Sequence, residues 1–230
     1  MVLKAFRACA ASQGDTNNLT FGFGGNQQGS SETRGFGYYE TIAGGSGAGP
    51  TWNGSDGVHT HMTNTRITDP EIFERRYPVL LREFNLRQGS GGLGQHIGGN
   101  GIIRDIEFRI PVEVSILSER RVHRPYGMEG GEDAHCGVNI WARKVSSQDT
   151  TKVSGRDGEL REEENYRYVN LGGKNTASMH PGDRIIIKTP GGGGWGKLGE
   201  AERTKLIKDA KATWKGGSVS ARQRTAEASA

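Results

Sequence analysis

Apolar and charged residues alternate with a period of two along several stretches from residue 80 onward. LLREFNLR at 80–87, GIIRDIEFRI at 101–110 and VEVSILSERR at 112–121 follow this pattern, with glycine-rich or proline-containing breaks between them. Such alternation predicts half-buried antiparallel strands, with apolar side chains toward a core and charged side chains toward water. Further strands are predicted over 36–43, 136–144, 166–173 and 184–189.

Helical patterns occur at three places. The apolar spacing over 2–12 predicts a helix that Gly14 ends. A second helix is predicted to begin at Asp69, whose side chain can cap it, with Pro70 at the first helical position. A third, charged helix is predicted over 198–212, followed by a disordered tail with few apolar anchors.

Together these elements predict an α+β fold: a β-rich mixed domain with short helices, glycine-rich loops and a C-terminal helix and tail. The domain is expected over residues 1–196 and the charged helix and tail over 197–230. Of the 230 residues, 37 are glycine and only 33% are hydrophobic. A chain of this composition must turn sharply many times or place much of its length in loops.

Charge and cysteine content narrow the function classes. The net charge of +4 arises from 30 basic residues interleaved with 26 acidic ones, so we expect no nucleic-acid partner. Cys9 and Cys136 lack the spacing of a disulfide framework or a zinc site, which fits a reducing compartment. Since no apolar run is as long as a membrane span and no signal peptide is recognisable, we expect a cytosolic protein without membrane contact.

PGGGGWGKL at 190–198 resembles a phosphate-binding loop, because Gly191 and Gly196-Lys197 have the required spacing. Leu198 stands where a Ser or Thr hydroxyl would hold magnesium, and too little chain follows to complete a nucleotide-binding sheet. We therefore predict a structural role, a glycine turn that closes the last strand.

GVHTHMTNTR at 57–66 is the most concentrated polar stretch. On an extended segment His59 and His61 would point to the same side and could share a metal with a neighbouring carboxylate. Alternatively, the two histidines only bond to their neighbours. Asn64 and Arg66 add donors suited to a carboxylate ligand, because arginine presents a two-pronged fork.

Two further stretches allow a functional and a structural interpretation. GGSGAGP at 44–50 could bring backbone N–H groups to an anion or oxyanion, or it could be a tight loop with forced φ angles. Residues 120–136 carry a group of cations followed by a group of acids, a pattern typical of a salt-bridged surface turn.

The order of these stretches resembles the C-terminal part of the hydantoinase B/5-oxoprolinase family, especially its eukaryotic members. Six blocks carry the resemblance, in the order SQGDTNNLTFG, YYETIAGGSGAGP, GVHTHMTNTRITDPEIFERRYP, LRQGSGGLGQHIGGNGIIRDIEF, SILSERRVHRPYGMEGG and PGDRIIIKTPGGGGWG. They span about residues 1 to 196.

This resemblance implies an enzyme that uses ATP to open the lactam of 5-oxoproline, giving glutamate, ADP and phosphate, in the γ-glutamyl cycle of glutathione metabolism. Phosphorylation of the amide oxygen would create an electrophile that water can attack. The family binds ATP in its actin-like hydantoinase A half and holds a divalent metal in the N-terminal part of the B half. We therefore expect ATP and metal outside this chain, and a fragment that is inactive without the A half and the rest of a homo-oligomeric enzyme.

The resemblance also implies residue roles. His59, His61, Asn64 and Arg66 stand in the family's HTHMTNTR block, and Gly45 and Gly47 in its glycine loop. We expect them to line the surface that faces a 5-oxoproline-like molecule, with Arg66 on its carboxylate; no catalytic residue and no metal ligand is assigned. Two alternatives remain: a noncatalytic interaction domain of the same fold, and a hydantoinase or ketone carboxylase type of subunit.

Overall fold

A computed structural model describes residues 2–25, 35–61, 63–145 and 165–199. Within these ranges the chain forms two short helices, α1 (Val2–Ala5) and α2 (Pro70–Arg76), and nine strands. The strands are β1 (Asn18–Phe23), β2 (Phe36–Thr41), β3 (Val79–Arg87), β4 (Gly101–Phe108), β5 (Val112–Leu117), β6 (Val138–Lys144), β7 (Tyr166–Asn170), β8 (Lys174–Met179) and β9 (Arg184–Lys188).

The strands form two antiparallel sheets that enclose one core. The first sheet has the order β2-β1-β5-β8 and the second the order β3-β4-β9-β6-β7. Phe21 of the first sheet packs edge-on against Phe108 of the second, with ring centroids 5.2 Å apart. Phe73 of α2 is fully buried in the same cluster. This β-rich architecture with short helices confirms the predicted fold class.

Most strands lie where the alternation predicts them, and the two exceptions have weak patterns. β1 lies within a glycine-rich stretch, and β8 is mostly polar, with only Ala177 and Met179 turned toward the core. β5 hydrogen-bonds to both β1 and β8. These two strands therefore depend on pairing with β5, which local periodicity cannot reveal.

The helix predictions had mixed outcomes. α2 is confirmed: Asp69 accepts hydrogen bonds from the backbone N–H groups of Glu71 and Ile72 at 3.1 and 3.3 Å. The N-terminal helix ends already at Ala5, so the prediction over 2–12 is wrong beyond that residue. The helix predicted over 198–212 and the tail fall almost wholly outside the described residues. No helix in the described ranges is long and apolar enough to cross a membrane.

The N-terminal helix stops because the next residues pair with other loops. Ala10 N–H donates to the carbonyl of Ala48 at 2.8 Å, and Ala11 N–H donates to that of Tyr126 at 3.0 Å. Both alanines are buried. Backbone pairing with distant segments therefore replaces the hydrogen bonds that a longer helix would make within itself.

Glycine-rich segments from distant parts of the chain form a layer that we call the glycine bundle, comprising residues 10–13, 44–57, 90–99, 126–135 and 190–196. Their backbones hydrogen-bond directly to one another, as in Gly192 N–H to the carbonyl of Gly99 at 2.8 Å. A Cβ atom at Gly45 would collide with the carbonyl oxygen of Gly99, and one at Gly192 with that of Ser46. Close backbone approach therefore requires glycine here.

The run PGGGGWG is one segment of this bundle. The N–H groups of Gly192, Gly193 and Gly194 donate to the carbonyls of Gly99, Ala11 and Glu132 at 2.8 to 2.9 Å. They are not available to a phosphate, so the structural interpretation is confirmed. The segment is extended rather than a tight turn, since only Gly196 among its glycines has a positive φ.

Candidate functional site

Residues 58–61 and 63–68, which we call the polar segment, run beside β2 at the edge of the four-stranded sheet. Val58 forms an isolated antiparallel bridge with Gly44, just after β2. Farther along, the hydroxyls of Thr65 and Thr41 share a hydrogen bond. The hydroxyl oxygen of Thr68 also lies 2.7 Å from that of Tyr38. These three contacts fix the segment beside the strand.

Beneath the polar segment lies a buried ion pair between Glu40 of β2 and Arg104 of β4. Arg104 donates from Nε to Oε1 of Glu40 at 2.6 Å and from Nη2 to Oε2 at 3.1 Å. The two side chains are 0% and 3% exposed. The guanidinium carbon lies 5.0 Å from the ring centroid of Phe73 and 5.1 Å from that of Phe84, which adds cation–π stabilisation.

Tyr38 connects this ion pair to the polar segment. Its hydroxyl donates to Oε2 of Glu40 at 2.6 Å and lies 2.7 Å from the hydroxyl oxygen of Thr68. Burial raises the pKa of Tyr38 well above its usual value, and the negative charge of Glu40 raises it further. The phenol therefore stays protonated at neutral pH and acts as a hydrogen-bond donor to the carboxylate.

Several polar atoms of the polar segment and of this pair are buried and have no partner within the described residues. They are Nδ1 and Nε2 of His59, Oγ1 of Thr63 and Nη1 of Arg104. Burial lowers the pKa of His59, and the nearby Glu40 opposes that effect. Buried groups of this kind are rare unless a water molecule, an ion or a ligand completes them. The segment and the ion pair thus form a candidate site for a small polar molecule.

The predicted site residues of the polar segment have different environments. His61 is exposed and adopts a left-handed backbone conformation with φ of 56°, whereas both ring nitrogens of His59 are buried. The prediction that the two histidines point to one side of an extended segment is therefore wrong. Asn64 and Arg66 are exposed. In the described ranges no three His, Cys, Asp or Glu side chains lie close enough together to hold a metal ion.

Gly45 and Gly47 lie inside the glycine bundle. Gly45 N–H donates to the carbonyl of Pro190 at 3.0 Å, and Gly47 N–H donates to Oγ of Ser12 at 3.1 Å. Both residues are buried, and neither has a positive φ. The structure therefore gives them a packing role based on close backbone approach, and neither the anion-binding nor the forced-φ interpretation of this loop describes it.

A second buried network joins Arg121 to Asp15. Arg121 donates from Nη1 to Oδ1 of Asn17 at 2.8 Å and from Nη2 to Oδ1 of Asn139 at 2.8 Å, and Nη1 lies 3.4 Å from Oδ2 of Asp15. Burial lowers the pKa of Arg121 to about 10, although Asp15 counteracts it. Burial also raises the pKa of Asp15. This network fastens the loop after β5 to the start of β1.

The interpretation of residues 120–136 as a turn closed by its own ion pairs is wrong for Arg121 and Glu129. Arg121 pairs with Asp15, and Glu129 pairs with Arg7 at 2.6 Å. Both partners come from the N-terminal part of the chain, more than 100 residues away in sequence. Charge order along a loop therefore did not predict which charges meet.

Sequence reasoning missed the two buried charges Glu40 and Arg104. One signal was present: Ile102, Arg104, Ile106 and Phe108 occupy alternate positions of β4, so Arg104 belongs to the face that turns to the core. A charged residue in such a position needs a buried partner. Nothing in the local pattern around Glu40 identifies it as that partner.

Comparisons with known proteins agree on one family. The family model of hydantoinase B/oxoprolinase matches residues 1–198. An uncharacterized protein of Schizosaccharomyces pombe is 60% identical over 91% of this chain and 15% of its own length. 5-oxoprolinase 1 of Arabidopsis thaliana is 54% identical over 85% of this chain and 13% of its own length. 5-oxoprolinase of Saccharomyces cerevisiae is also 54% identical, over 86% of this chain and 14% of its own.

Solved structures with the same fold are more distant in sequence. An ATP-dependent caprolactamase from Pseudomonas jessenii superposes with a TM-score of 0.59 at 18% identity, over 91% of this chain and 34% of that one. An acetone carboxylase superposes with a TM-score of 0.62 at 17% identity, over 98% of this chain and 34% of that one. The chain thus spans about one seventh of the curated relatives named above. Through the family model and these close relatives, it belongs to the hydantoinase B/oxoprolinase family.

Proposed function

We propose that this chain forms the C-terminal portion of the B half of an ATP-dependent 5-oxoprolinase, which hydrolyses the lactam of 5-oxo-L-proline to L-glutamate. The observation that carries the proposal is the 54% identity to two proteins named 5-oxoprolinase, over 85% and 86% of the chain. Because the chain corresponds to about one seventh of those proteins, activity requires further segments, including a hydantoinase A-like half.

ATP and a divalent metal ion belong, in this proposal, to those further segments. In the glycine run that resembles a phosphate loop, the N–H groups of Gly192, Gly193 and Gly194 donate hydrogen bonds to carbonyl oxygens within the bundle. In the described residues no group of three acidic, histidine or cysteine side chains could hold a metal ion. The described residues therefore do not fit ATP or a metal ion, and their proposed role is to bind and orient the cyclic amide.

The polar segment is the proposed substrate-facing surface. Arg66 is exposed and has no ion pair in the described ranges, so its guanidinium is free to bind the carboxylate of 5-oxoproline through two hydrogen bonds. Asn64 and His61 are exposed on the same short segment and offer further polar contacts. Gly45 and Gly47, buried behind it, would support this surface through packing rather than contact the substrate.

A chimera tests the proposed function. The region of the Saccharomyces cerevisiae 5-oxoprolinase that matches this chain over 205 residues would be replaced by the chain itself, and ATP hydrolysis would be measured with and without 5-oxoproline. We expect ATP hydrolysis that depends on 5-oxoproline and forms glutamate in equal amount. A chimera that folds and assembles but shows no such dependence would contradict the proposal and favour a noncatalytic interaction domain.

Related cyclic amides extend this test. Hydantoin in place of 5-oxoproline would show whether the replaced region changes substrate choice. We expect the chimera to keep the parent enzyme's preference, because the exposed carboxylate-binding arginine suits 5-oxoproline, whereas hydantoin carries no carboxylate. A preference shifted to hydantoin would favour the hydantoinase type of subunit.

A further inference from the structure

Residues 120–127 and 131–137 run side by side, and residues 126–127 and 131–135 of them belong to the glycine bundle. Ala134 N–H donates to the carbonyl of Pro125 at 2.9 Å, and Gly137 N–H donates to that of Arg120 at 2.9 Å. We call this pair of segments the 120–137 hairpin. Because Pro125 pairs with Ala134, the pairing brings the adjoining residues Arg124 and His135 close together, and both are exposed.

Arg87, at the end of β3, adds a third side chain to this group. Arg87 donates from Nη1 to the carbonyl of Cys136 at 2.7 Å and to that of Thr189 at 3.1 Å. His135 is held from both sides, since its N–H donates to Ser90 at 2.9 Å and its carbonyl accepts from Gly191 at 3.4 Å. The Arg87 guanidinium is thus fixed beside the backbone of residues 135 and 136.

The carboxylates around these cations have other partners. Glu129 pairs with Arg7 at 2.6 Å, and Glu119 pairs with Lys174 at 2.7 Å. Asp133 accepts a hydrogen bond from the backbone N–H of Gly127 at 2.8 Å, and Asp15 lies in the Arg121 network. In the described part of the chain no carboxylate forms an ion pair with Arg87 or Arg124.

The electrostatics of His135 agree with this geometry. Partial burial lowers the pKa of His135, and the positive charges of Arg87 and Arg124 lower it further. Two other titratable groups lie near Arg87: the Cys136 thiol, which donates to the carbonyl of Val122 at 3.3 Å, and Arg121, which pairs with Asp15. The two guanidinium charges thus both act on His135, and neither forms an ion pair with a carboxylate among the described residues. An anion bound beside them would offset this positive charge.

We propose that Arg87, Arg124 and His135 form a binding site for a phosphate-type oxyanion. The site lies on the hairpin side of the glycine bundle and does not rest on the proposed function. Arginine forks match the oxygen geometry of phosphate, and the imidazole adds a donor once it is protonated. A dianion suits two permanent positive charges better than a carboxylate with one negative charge does.

Phosphate titration of the full 230-residue chain tests the site. The imidazole resonances of His135 would be followed by NMR at constant ionic strength while inorganic phosphate is added, with acetate as the comparison anion. We expect saturable binding of phosphate, weaker binding of acetate, and a pKa of His135 that rises when phosphate is bound. Equal responses to phosphate and acetate, or a response without saturation, would overturn the proposal.

Matched variants make the test specific. Arg124→Gln removes an exposed charge at the site, and it should weaken phosphate binding about tenfold, the loss expected for one charge-assisted hydrogen bond. Arg76→Gln removes a charge that is also exposed, on α2, and should leave binding unchanged. If both variants lose affinity equally, the binding reflects net charge and the site does not exist.

Glycerol phosphate distinguishes the source of the oxyanion. Tighter binding of this phosphomonoester than of inorganic phosphate would support a site for the phosphate group of a larger molecule. Equal binding would support a site for the free ion. Binding of inorganic phosphate with complete rejection of the monoester would also support the free ion, whereas rejection of both would overturn the site.

Discussion

The Arg104 guanidinium lies fully buried between two phenyl rings, and the Glu40 carboxylate balances its charge. Burying both charges costs free energy that their attraction only partly returns, so an apolar pair of the same volume would serve the core equally well. The ion pair connects particular elements, which an apolar pair would not do. It joins β2 to β4 and, through Tyr38, reaches Thr68 of the polar segment. At the residue scale we interpret it as a polar support for that segment.

Removing one partner of this pair tests its role. Glu40→Gln leaves the Arg104 charge buried and uncompensated, and we expect the free energy of unfolding to fall by about 3–5 kcal/mol. Urea denaturation followed by tryptophan fluorescence measures the change. Glu119→Gln, which breaks the exposed pair with Lys174, is the control and should cause no measurable change. Equal effects of the two substitutions would show that burial of the pair does not matter.

His59 gives the stability of the protein a dependence on pH. Because burial lowers its pKa in the folded state, the unfolded chain binds the proton more readily below the ordinary value of about 6.5. The free energy of unfolding should therefore fall as the pH is lowered through that value, and be unaffected by this group at higher pH. Urea midpoints of the protein and of His59→Asn, compared from about pH 5.5 to 8, measure this contribution.

The variant should lose less stability than the parent protein as the pH falls. His135 also has a lowered pKa, so His135→Asn is the control that separates the two contributions. An identical pH profile for His59→Asn and the parent protein would show that His59 is solvated in solution.

At the element scale the glycine bundle is the unusual feature, because its segments pair through backbone groups while almost no side chains separate them. Its glycines follow β2, β3 and β9, so the bundle ties the ends of both sheets together. A chain rich in glycine thus forms ordered structure here, where composition alone suggested loops. The polar segment starts at this bundle, at the bridge between Val58 and Gly44.

A pair of glycine substitutions tests the bundle. Gly192→Ala would place a methyl group against the carbonyl of Ser46, and we expect a loss of at least about 3 kcal/mol in the free energy of unfolding. Gly37→Ala, on the exposed side of β2, meets no atom within 4 Å and should be neutral or slightly stabilising. Thermal unfolding of both variants measures the difference, and similar melting temperatures would contradict the close packing.

The sequence predicted individual strands and helices better than it predicted the contacts between distant segments. The period-two pattern located β3, β4 and β5, and the cap at Asp69 located α2, because these signals are local. The N-terminal helix was overpredicted since the backbones of Ala10 and Ala11 pair with residues far along the chain. The glycine bundle depends on contacts between distant segments, and no local pattern carries that information.

The candidate site, like the fold, was predicted from the sequence only in part. The polar segment was recognised from its composition, and the family resemblance was confirmed over residues 1–198. The Glu40–Arg104 pair beneath it was missed, because its two members are 64 residues apart and only the fold brings them together. Gly45 and Gly47 were located correctly in a glycine loop, but whether a glycine binds a ligand or packs against a carbonyl depends on neighbours that the sequence does not name.

At the scale of the whole molecule the chain is a two-sheet domain that carries an exposed polar segment at the edge of one sheet. The chain matches about one seventh of the relatives named 5-oxoprolinase, so the segment's proposed substrate would be held together with parts that those proteins supply. We therefore propose a role for one surface of this chain: the polar segment contributes binding contacts for 5-oxoproline, with Arg66 on its carboxylate.

The KM for 5-oxoproline in the chimeric enzyme, measured for Arg66→Ala, tests this claim most directly. Loss of a two-pronged, charge-assisted contact should raise KM by about tenfold or more. Arg66→Lys should restore part of the affinity, and Arg76→Ala, an equally exposed arginine on α2, should leave KM unchanged. A near-normal KM and near-normal ATP-coupled turnover after Arg66→Ala would contradict the account.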